Sequence, residues 1–381
     1  MKILLVGGTW TAKDSETNHK PRQSSIVAKM SDIIDSLNTE DNPIECVTLN
    51  GGEFSELELC LKYAKNPDIT IWMPNVPDNN LPKLRDIKTV IPHTILITSK
   101  RNDNDKYSFG EIVRRALKLK SNLLIEFKRN TENEHFHMSI IDPLGNEWYS
   151  GMDIEEMTKT LIERATFLQS ITRQGTNRND GMFFDTKNNR KDDTETFISI
   201  VQKCGKVFNA YTPSADNTTR LLGNCSIANQ TRCSKGFPTM RNDNTIFVSE
   251  RNVDKKTLTV ENLVPVKFVN DKIFYKGEKK PSVDTPIQVR LYELLPNINY
   301  MIHSHCYIKN APFTQNCIPC GGLDEIKEIM NIIDRSVYGR DTMFFRINLK
   351  GHGSLVMAYS IGLLENIESE YYPREFPEKQ Y

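Results

Sequence analysis

The sequence predicts an α/β protein of two domains, and three observations predict it. The chain has 381 residues, too many for one ordinary core and suited to two at roughly 150 residues each. Strand-like apolar runs alternate with helical periodicity through the first half, and that alternation argues a doubly wound parallel sheet, because parallel strands need crossover helices. From about residue 196 the texture changes to short strands and helices in mixed order. Hydrophobic residues make up 38% and aromatics 9%, which supports packed cores and excludes disorder for most of the chain.

Taken in order, residues 2–6 read as a strand and 25–37 as a helix, then 44–49 and 55–64, 69–73 and 81–90, and 94–98 and 109–119, with 123–127 as a fifth strand. Residues 136–141 read as an edge strand, 142–146 as a turn and 154–171 as a closing helix. The first domain is expected to be Rossmann/flavodoxin-like and to cover residues 1–175. A polar stretch at 174–181 and a charged one at 187–193 predict a linker, 176–195. In the second domain, 196–381, helices are expected at 197–208, 285–294 and 325–333, with a strand ending in His303. Residues 343–349 read as a strand that continues through 355–358 after a Gly351-His352-Gly353 break, and 371–381 as an extended tail.

Lys plus Arg number 49 and Asp plus Glu number 49, so no net field gathers nucleic acid or a membrane surface, and neither partner is expected. No apolar run approaches the roughly 18 residues that cross a bilayer. The opening apolar run is too short for a secretory signal and enters Gly7-Gly8 at once. Cysteines at 46, 60, 204, 225, 233, 306, 317 and 320 are too scattered for a disulfide framework, which points to reduced thiols and a cytoplasmic setting.

Three histidines carry the sharpest chemical signal: His303-Ser304-His305 and His352 between two glycines. Residues i and i+2 of a strand share a face, so His303 and His305 offer two imidazoles to one ion. A third imidazole leaves a position for substrate, as in catalytic zinc sites. His135-Phe136-His137 has the same spacing but no third partner, and reads as solvent-facing residues on an edge strand. Cys317-Ile318-Pro319-Cys320 reads as a redox pair, a second zinc site, or buried thiols in a loop near the metal.

The company of these histidines resembles the class II aldolase/adducin family. The landmarks, in order, are Gly223-Asn224-Cys225-Ser226, Ile246-Phe247-Val248-Ser249, residues 258–266, Lys280-Pro281-Ser282-Val283-Asp284, residues 291–296, His303-Ser304-His305 and Leu349-Lys350-Gly351-His352-Gly353. The resemblance covers about 197–367 and implies an α/β/α aldolase-like domain. It further implies a zinc or other divalent ion on His303, His305 and His352, with Asp284 as the proton-transfer group. Asn224, Ser226, Ser249 and Ser282 are implied to line an anion pocket. The implied chemistry is a metal-dependent sugar or sugar-phosphate lyase of carbohydrate metabolism, working through a metal-stabilised enediolate, in a homotetramer. The alternatives are an epimerase or dehydratase of the same family, or a non-catalytic binding or assembly protein.

Two departures stand out. The family's usual Glu is Asp284, one methylene shorter, which draws the carboxylate back by roughly 1.5 Å. Asp284 also reads as a helix N-cap before Pro286. The usual glycine after the pocket serine is Glu250, whose charge repels a phosphate unless it points away. In the first domain, Val6-Gly7-Gly8-Thr9 after a strand is a candidate turn for a nucleotide or other small ligand, or simply a tight turn. Asn75, Asn50-Gly51-Gly52 and Thr98-Ser99 fall at the ends of later strands, on the same rim.

Overall fold

The computed structural model describes residues 1–13, 19–84, 86–129, 136–183, 193–211, 223–228, 245–337 and 339–381. The chain divides into two compact units: Met1–Ser170 with Phe376–Tyr381, and Ile171–Glu375. Among the described residues no helix is long and apolar enough to cross a membrane.

The first unit runs β1 (Lys2–Thr11), α1 (Ser25–Ser36), β2 (Glu45–Glu53), α2 (Phe54–Tyr63), β3 (Ile69–Trp72), α3 (Ile87–Val90), β4 (Ile95–Arg101), α4 (Phe109–Leu119), β5 (Leu123–Arg129), β6 (Phe136–Ile141), β7 (Asn146–Gly151) and α5 (Ile154–Ser170). Strands β2, β1, β3, β4 and β5 are neighbours in that order and pair in parallel, the doubly wound 2-1-3-4-5 order. Alternation along β1 explains the layers. Ile3 and Leu5 pack with Val27, Met30 and Ile34 of α1 and with α5, whereas Leu4 and Val6 pack with Phe54, Leu57 and Leu61 of α2. Helix α1 starts where the Ser24 side chain accepts from the Val27 N–H. Helix α4 starts in a reciprocal Ser108/Glu111 capping box, which satisfies two otherwise orphaned backbone donors.

Four local expectations change in this unit. Gly7 and Gly8 make no turn; β1 continues through them to Thr11, with a register shift against β2 between Gly7 and Trp10. A side chain at Gly8, φ +74°, would meet the backbone of Gly51 and Arg22 at 2.5 and 2.7 Å, and one at Gly7 would meet Val27 Cγ2 at 2.3 Å, so close backbone approach accounts for Gly8 and helix packing for Gly7. The helix expected at 81–90 is the single turn α3, with Leu81 and Leu84 packed onto the core from the loop before it. Strand β6 is not at the edge, because the polar run Asn146–Gly151 pairs with it as β7. His137 is half-buried there, its Nε2 3.4 Å from the Ser150 hydroxyl, and His135 lies outside the described residues.

The second unit runs β8 (Thr176–Arg178), α6 (Thr194–Tyr211), β9 (Asn224–Ala228), β10 (Thr245–Ser249), β11 (Leu263–Val269), β12 (Lys272–Tyr275), α7 (Thr285–Leu294), β13 (Tyr300–Ser304), β14 (Tyr307–Ile308), α8 (Asp324–Asp334), β15 (Phe344–Leu349), β16 (Gly353–Ala358) and β17 (Tyr371–Tyr372). Its main sheet has the order β15-β16-β13-β9-β10-β11-β12-β8. All pairs are antiparallel except β12 with β8. One face packs against α7 and α8, the other against α6, giving the α/β/α layering.

The expected boundaries shift accordingly. Residues 176–178, inside the expected linker, are edge strand β8, and residues 184–192 of that linker lie outside the described residues. The tail is pinned: β17 pairs with β14, and the last strand, β18 (Glu378–Lys379), joins the first unit's sheet parallel to β7. Two- and three-residue strands carry no periodic signal of their own and exist through their partner edge. Residues 355–358 do not continue 343–349; β15 and β16 form an antiparallel hairpin with Leu349 opposite Gly353.

Candidate metal centre

The hairpin turn is what brings the third histidine to the other two. Strand β13 lies against β16 with His303 opposite Leu355 and Ser304 opposite Ser354, so His352, in the turn before β16, meets the end of β13. Gly353 makes that approach possible. With φ +148°, a side chain there would stand 1.9 Å from the Ser304 carbonyl oxygen and 2.6 Å from His305 Cα.

The three imidazoles converge. Ring centroids are 5.0 Å apart for His303 and His305, 4.7 Å for His303 and His352, and 5.1 Å for His305 and His352. One nitrogen from each lies within 4.8 Å of the others. All three are buried, at 3%, 6% and 0% exposure. His303 Nδ1 is 3.0 Å from the Ser354 carbonyl, which fixes the ring and directs Nε2 at the cluster. His352 Nδ1 is 2.7 Å from Glu325 Oε1, and Glu325 is itself buried in the first turn of α8.

Among the described residues, His303 Nε2 and His305 Nδ1 are buried with no hydrogen-bond partner. An unpaired buried polar atom costs about 1–3 kcal/mol. One cation relieves both, and three imidazole donors suit zinc or a similar divalent ion. The residues present therefore fit a metal.

Electrostatics agree. Burial, with the charge of neighbouring His352, pushes His303 down to about 4, and burial with His303 beside it holds His305 well below the usual range. Both rings are neutral donors at neutral pH. Burial also opposes charge on His352, but the Glu325 carboxylate and Cys320 outweigh it and draw a proton there. The cluster is built to hold one positive charge.

Asp284 stands at the N-cap position of α7 but makes no side-chain cap bond. Its Oδ2 accepts from Asn224 Nδ2 at 2.8 Å and its Oδ1 from the Gly321 N–H at 2.8 Å, while Oδ2 sits 3.8 Å from His303 Nε2. Gln288, one turn along α7, donates to Asn224 Oδ1. Of the other expected pocket residues, Ser282 is buried beside Asp284, its Oγ 3.4 Å from the Asp284 N–H. Ser226 and Ser249 are fully buried, and their hydroxyls are committed to Tyr292 OH at 3.1 Å and to the Cys225 N–H at 3.1 Å. Glu250 points to Lys279 Nζ at 3.0 Å and to the Asn262 amide.

Sequence reasoning missed Glu325, Gln288 and Arg374, each of which contacts a residue of this cluster. Arg374, buried near the C-terminus, lies 3.4 Å from the His352 carbonyl through Nη1. Only the acidic first turn of a helix at Glu325 carried any local signal. In the first unit, Gly7–Thr9 do not border the cleft beyond β3 and β4. That cleft, about 800 Å³, opens at the C-terminal ends of β3 and β4, where Thr98, Ser99, Lys83, Lys100, Arg115 and Lys118 line it.

Among solved structures, the chain is similar to the DNA/pantothenate metabolism flavoprotein from Streptococcus pneumoniae, at 15% identity over 44% of this chain and 98% of that one, with a TM-score of 0.34. It is similar to L-fuculose 1-phosphate aldolase, at 14% over 48% and 84%, TM-score 0.33. It is also similar to an aldolase II superfamily protein from Pseudomonas syringae, at 12% over 49% and 77%, TM-score 0.32. No curated protein sequence matches the chain. Residues 211–336 match the family model of the Class II Aldolase and Adducin N-terminal domain, and the second half of the chain carries a domain of that family.

Proposed function

We propose that the second unit is a metal-dependent, aldolase-type lyase acting on a sugar or sugar phosphate. The observation that carries this reading is the pair of buried nitrogens of His303 and His305, unpartnered among the described residues and facing His352. A divalent ion such as zinc, held by these three residues, supplies Lewis-acid polarisation of a carbonyl or hydroxyl oxygen of the substrate. Asp284 moves the proton. Its carboxylate is fixed by Asn224 and Gly321, and Gln288 locks Asn224, so the base is held beside the imidazoles without reorganisation. The Glu325 carboxylate keeps the His352 ring in the tautomer that offers Nε2. Ser282 is the one expected anion-pocket hydroxyl that sits next to Asp284.

The test is turnover of ketose and ketose-phosphate substrates by metal-loaded wild type against His303→Ala and Asp284→Asn. Retro-aldol cleavage by the wild type alone is the expected result. Full activity in His303→Ala would overturn the reading.

We further assign the protein to the cytoplasm as a homo-oligomer, for which light scattering at micromolar concentration should give more than one chain. In the first unit we assign a small anionic ligand of the nucleotide class to the cleft beyond β3 and β4. Its volume is that of a small-molecule site, it lies beyond strand C-termini at a doubly wound sheet, and lysines and Arg115 border it. Calorimetric titration with nucleotides should give heat that Lys118→Ala and Lys100→Ala weaken, and no heat at millimolar ligand would refute it.

A further inference from the structure

A thiol and a carboxylate meet His352 at the ring nitrogen that Glu325 leaves. Among the described residues, two sets of three donors lie within 4.8 Å of one another: His303, His305 and His352, and Asp284, Cys320 and His352. The loop before α8 builds the second set. Asp284 Oδ1 accepts from the Gly321 N–H at 2.8 Å, which draws the carboxylate to the residue beside Cys320, and Arg173 Nη1 donates to the Cys320 carbonyl at 2.8 Å. Gly321 has φ +73°, and a side chain there would stand 2.7 Å from Val283 Cγ1, so glycine lets the turn close on the segment that carries Asp284. The consequence is a fixed sulfur. Cys320 Sγ lies 3.2 Å from His352 Nε2, while Nδ1 of that ring is 2.7 Å from Glu325 Oε1.

The two sets are different seats. Cys320 shares its set with neither His303 nor His305, so its sulfur does not belong to the ion that those rings face. Their charge differs as well: three imidazoles leave a dication its full charge, whereas a thiolate and a carboxylate cancel it. Each Asp284 oxygen accepts one hydrogen bond, and a carboxylate has about four lone-pair sites, so the group keeps donor capacity. Tetrahedral zinc with Zn–S about 2.3 Å and Zn–N about 2.05 Å places sulfur and nitrogen about 3.5 Å apart, close to the 3.2 Å seen. Sulfur, imidazole and carboxylate together select zinc or cadmium over magnesium or calcium.

We propose that Asp284, Cys320 and His352 form a second seat for a thiophilic divalent cation of the zinc and cadmium class, exclusive of the three-histidine seat because both require His352 Nε2. The exclusion rests on the metal reading above; the seat itself does not. On binding, the Cys320 S–H bond breaks, the proton goes to solvent, and the sulfur lone pair goes to the cation, with no change of oxidation state. An occupied second seat takes the proton-transfer carboxylate and one ring of the three-histidine seat, which leaves that centre incomplete. Cys320 is the one donor of the five that is not buried, so a cation held there exchanges with solvent and leaves on purification without added metal.

The experiment adds cadmium to the full chain, stripped of metal, and follows the ultraviolet thiolate-to-cadmium charge-transfer band. The band is expected in the wild type, in Cys317→Ser and in His303→Ala, which breaks only the three-histidine seat, and its loss is expected in Cys320→Ser. A wild-type band that vanishes in His303→Ala assigns the sulfur to the three-histidine ion, and no band in either protein removes it from any seat. Both outcomes overturn the proposal, as does a band that survives Cys320→Ser and so arises from another thiol. His305→Ala replaces His303→Ala if the latter fails to fold. Cadmium added to zinc-loaded wild type should release zinc as the band rises, and a full band with all zinc retained overturns the exclusion. A folded Cys320→Ser that binds no zinc overturns the three-histidine reading instead, and the band in His303→Ala still decides the second seat.

Discussion

Replacing Gly353 by Ala adds one methyl group at the point where the turn carrying His352 touches the strand carrying His303 and His305. The added carbon would fall 1.9 Å from the Ser304 carbonyl oxygen and 2.6 Å from His305 Cα, at φ +148°. Neither neighbour is a flexible side-chain end; both are backbone of the metal-site segment. A sparsely populated backbone conformation costs about 1–3 kcal/mol, and overpacking of a fixed contact about 1–3 kcal/mol more. The expected loss is therefore about 2–6 kcal/mol, a large part of the roughly 5–15 kcal/mol that holds a domain folded. Urea unfolding, followed beside metal content at equilibrium with a chelator, checks it. Any folded fraction should bind metal more weakly, because relief of the clash drives the His305 backbone away from His352. Unfolding within about 0.5 kcal/mol of wild type, with metal content unchanged, would refute the claim that this close approach builds the site.

Three further predictions follow from neighbouring residues. Glu325→Gln keeps an acceptor for His352 Nδ1, 2.7 Å away, but removes the charge, so chelator competition should show metal affinity about 10–100-fold weaker; unchanged affinity would remove Glu325 from the centre. Asp284→Asn still accepts from the Gly321 N–H and should keep its metal while turnover falls about 10²–10⁴-fold; full turnover would make Asp284 purely structural. Lys255 is 3% exposed, donates to the Val253 carbonyl at 3.0 Å and is pushed down to about 8 by burial. An unfolded lysine titrates near 10.4, so between about pH 8 and 10.4 the unfolded chain holds a proton that the folded chain has lost. Lys255 therefore makes stability rise with pH across that window, by up to about 3 kcal/mol. Lys255→Met should stabilise the protein most below pH 8, with an advantage over wild type that shrinks toward pH 10, and a pH-independent difference in urea unfolding would contradict this.

How far the sequence could be read depended on whether a signal was local. The parallel order β2-β1-β3-β4-β5 was legible because each strand is an apolar run followed by a helical period. His303 and His305 were legible because spacing i, i+2 settles which face of a strand they share, and His352 because glycines flank it. The hairpin that delivers His352 was not legible: two strands in line and two strands folded back read alike until the partner of Leu349 is known. Gly7-Gly8 reads as a turn for the same reason, although pairing with β2 carries the strand through. Strands β8 and β18 exist only against an edge supplied by distant residues. Glu325 sits 27 positions from His352 in the chain and Cys320 sits 32 positions away, distances at which no periodicity links them. Asp284 reads equally as a cap and as a base, and the structure overturns only the cap, since its carboxylate makes no side-chain cap bond and turns toward Asn224 and Gly321.

Elemental analysis of protein purified without a histidine tag tests most directly whether His303, His305 and His352 together hold one divalent ion. Close to one metal per chain is expected in the wild type, lost in both His303→Ala and His352→Ala, with each variant still folded by circular dichroism. Stoichiometric metal retained in the double variant His303→Ala/His352→Ala, or none in a correctly folded wild type offered zinc, would contradict it.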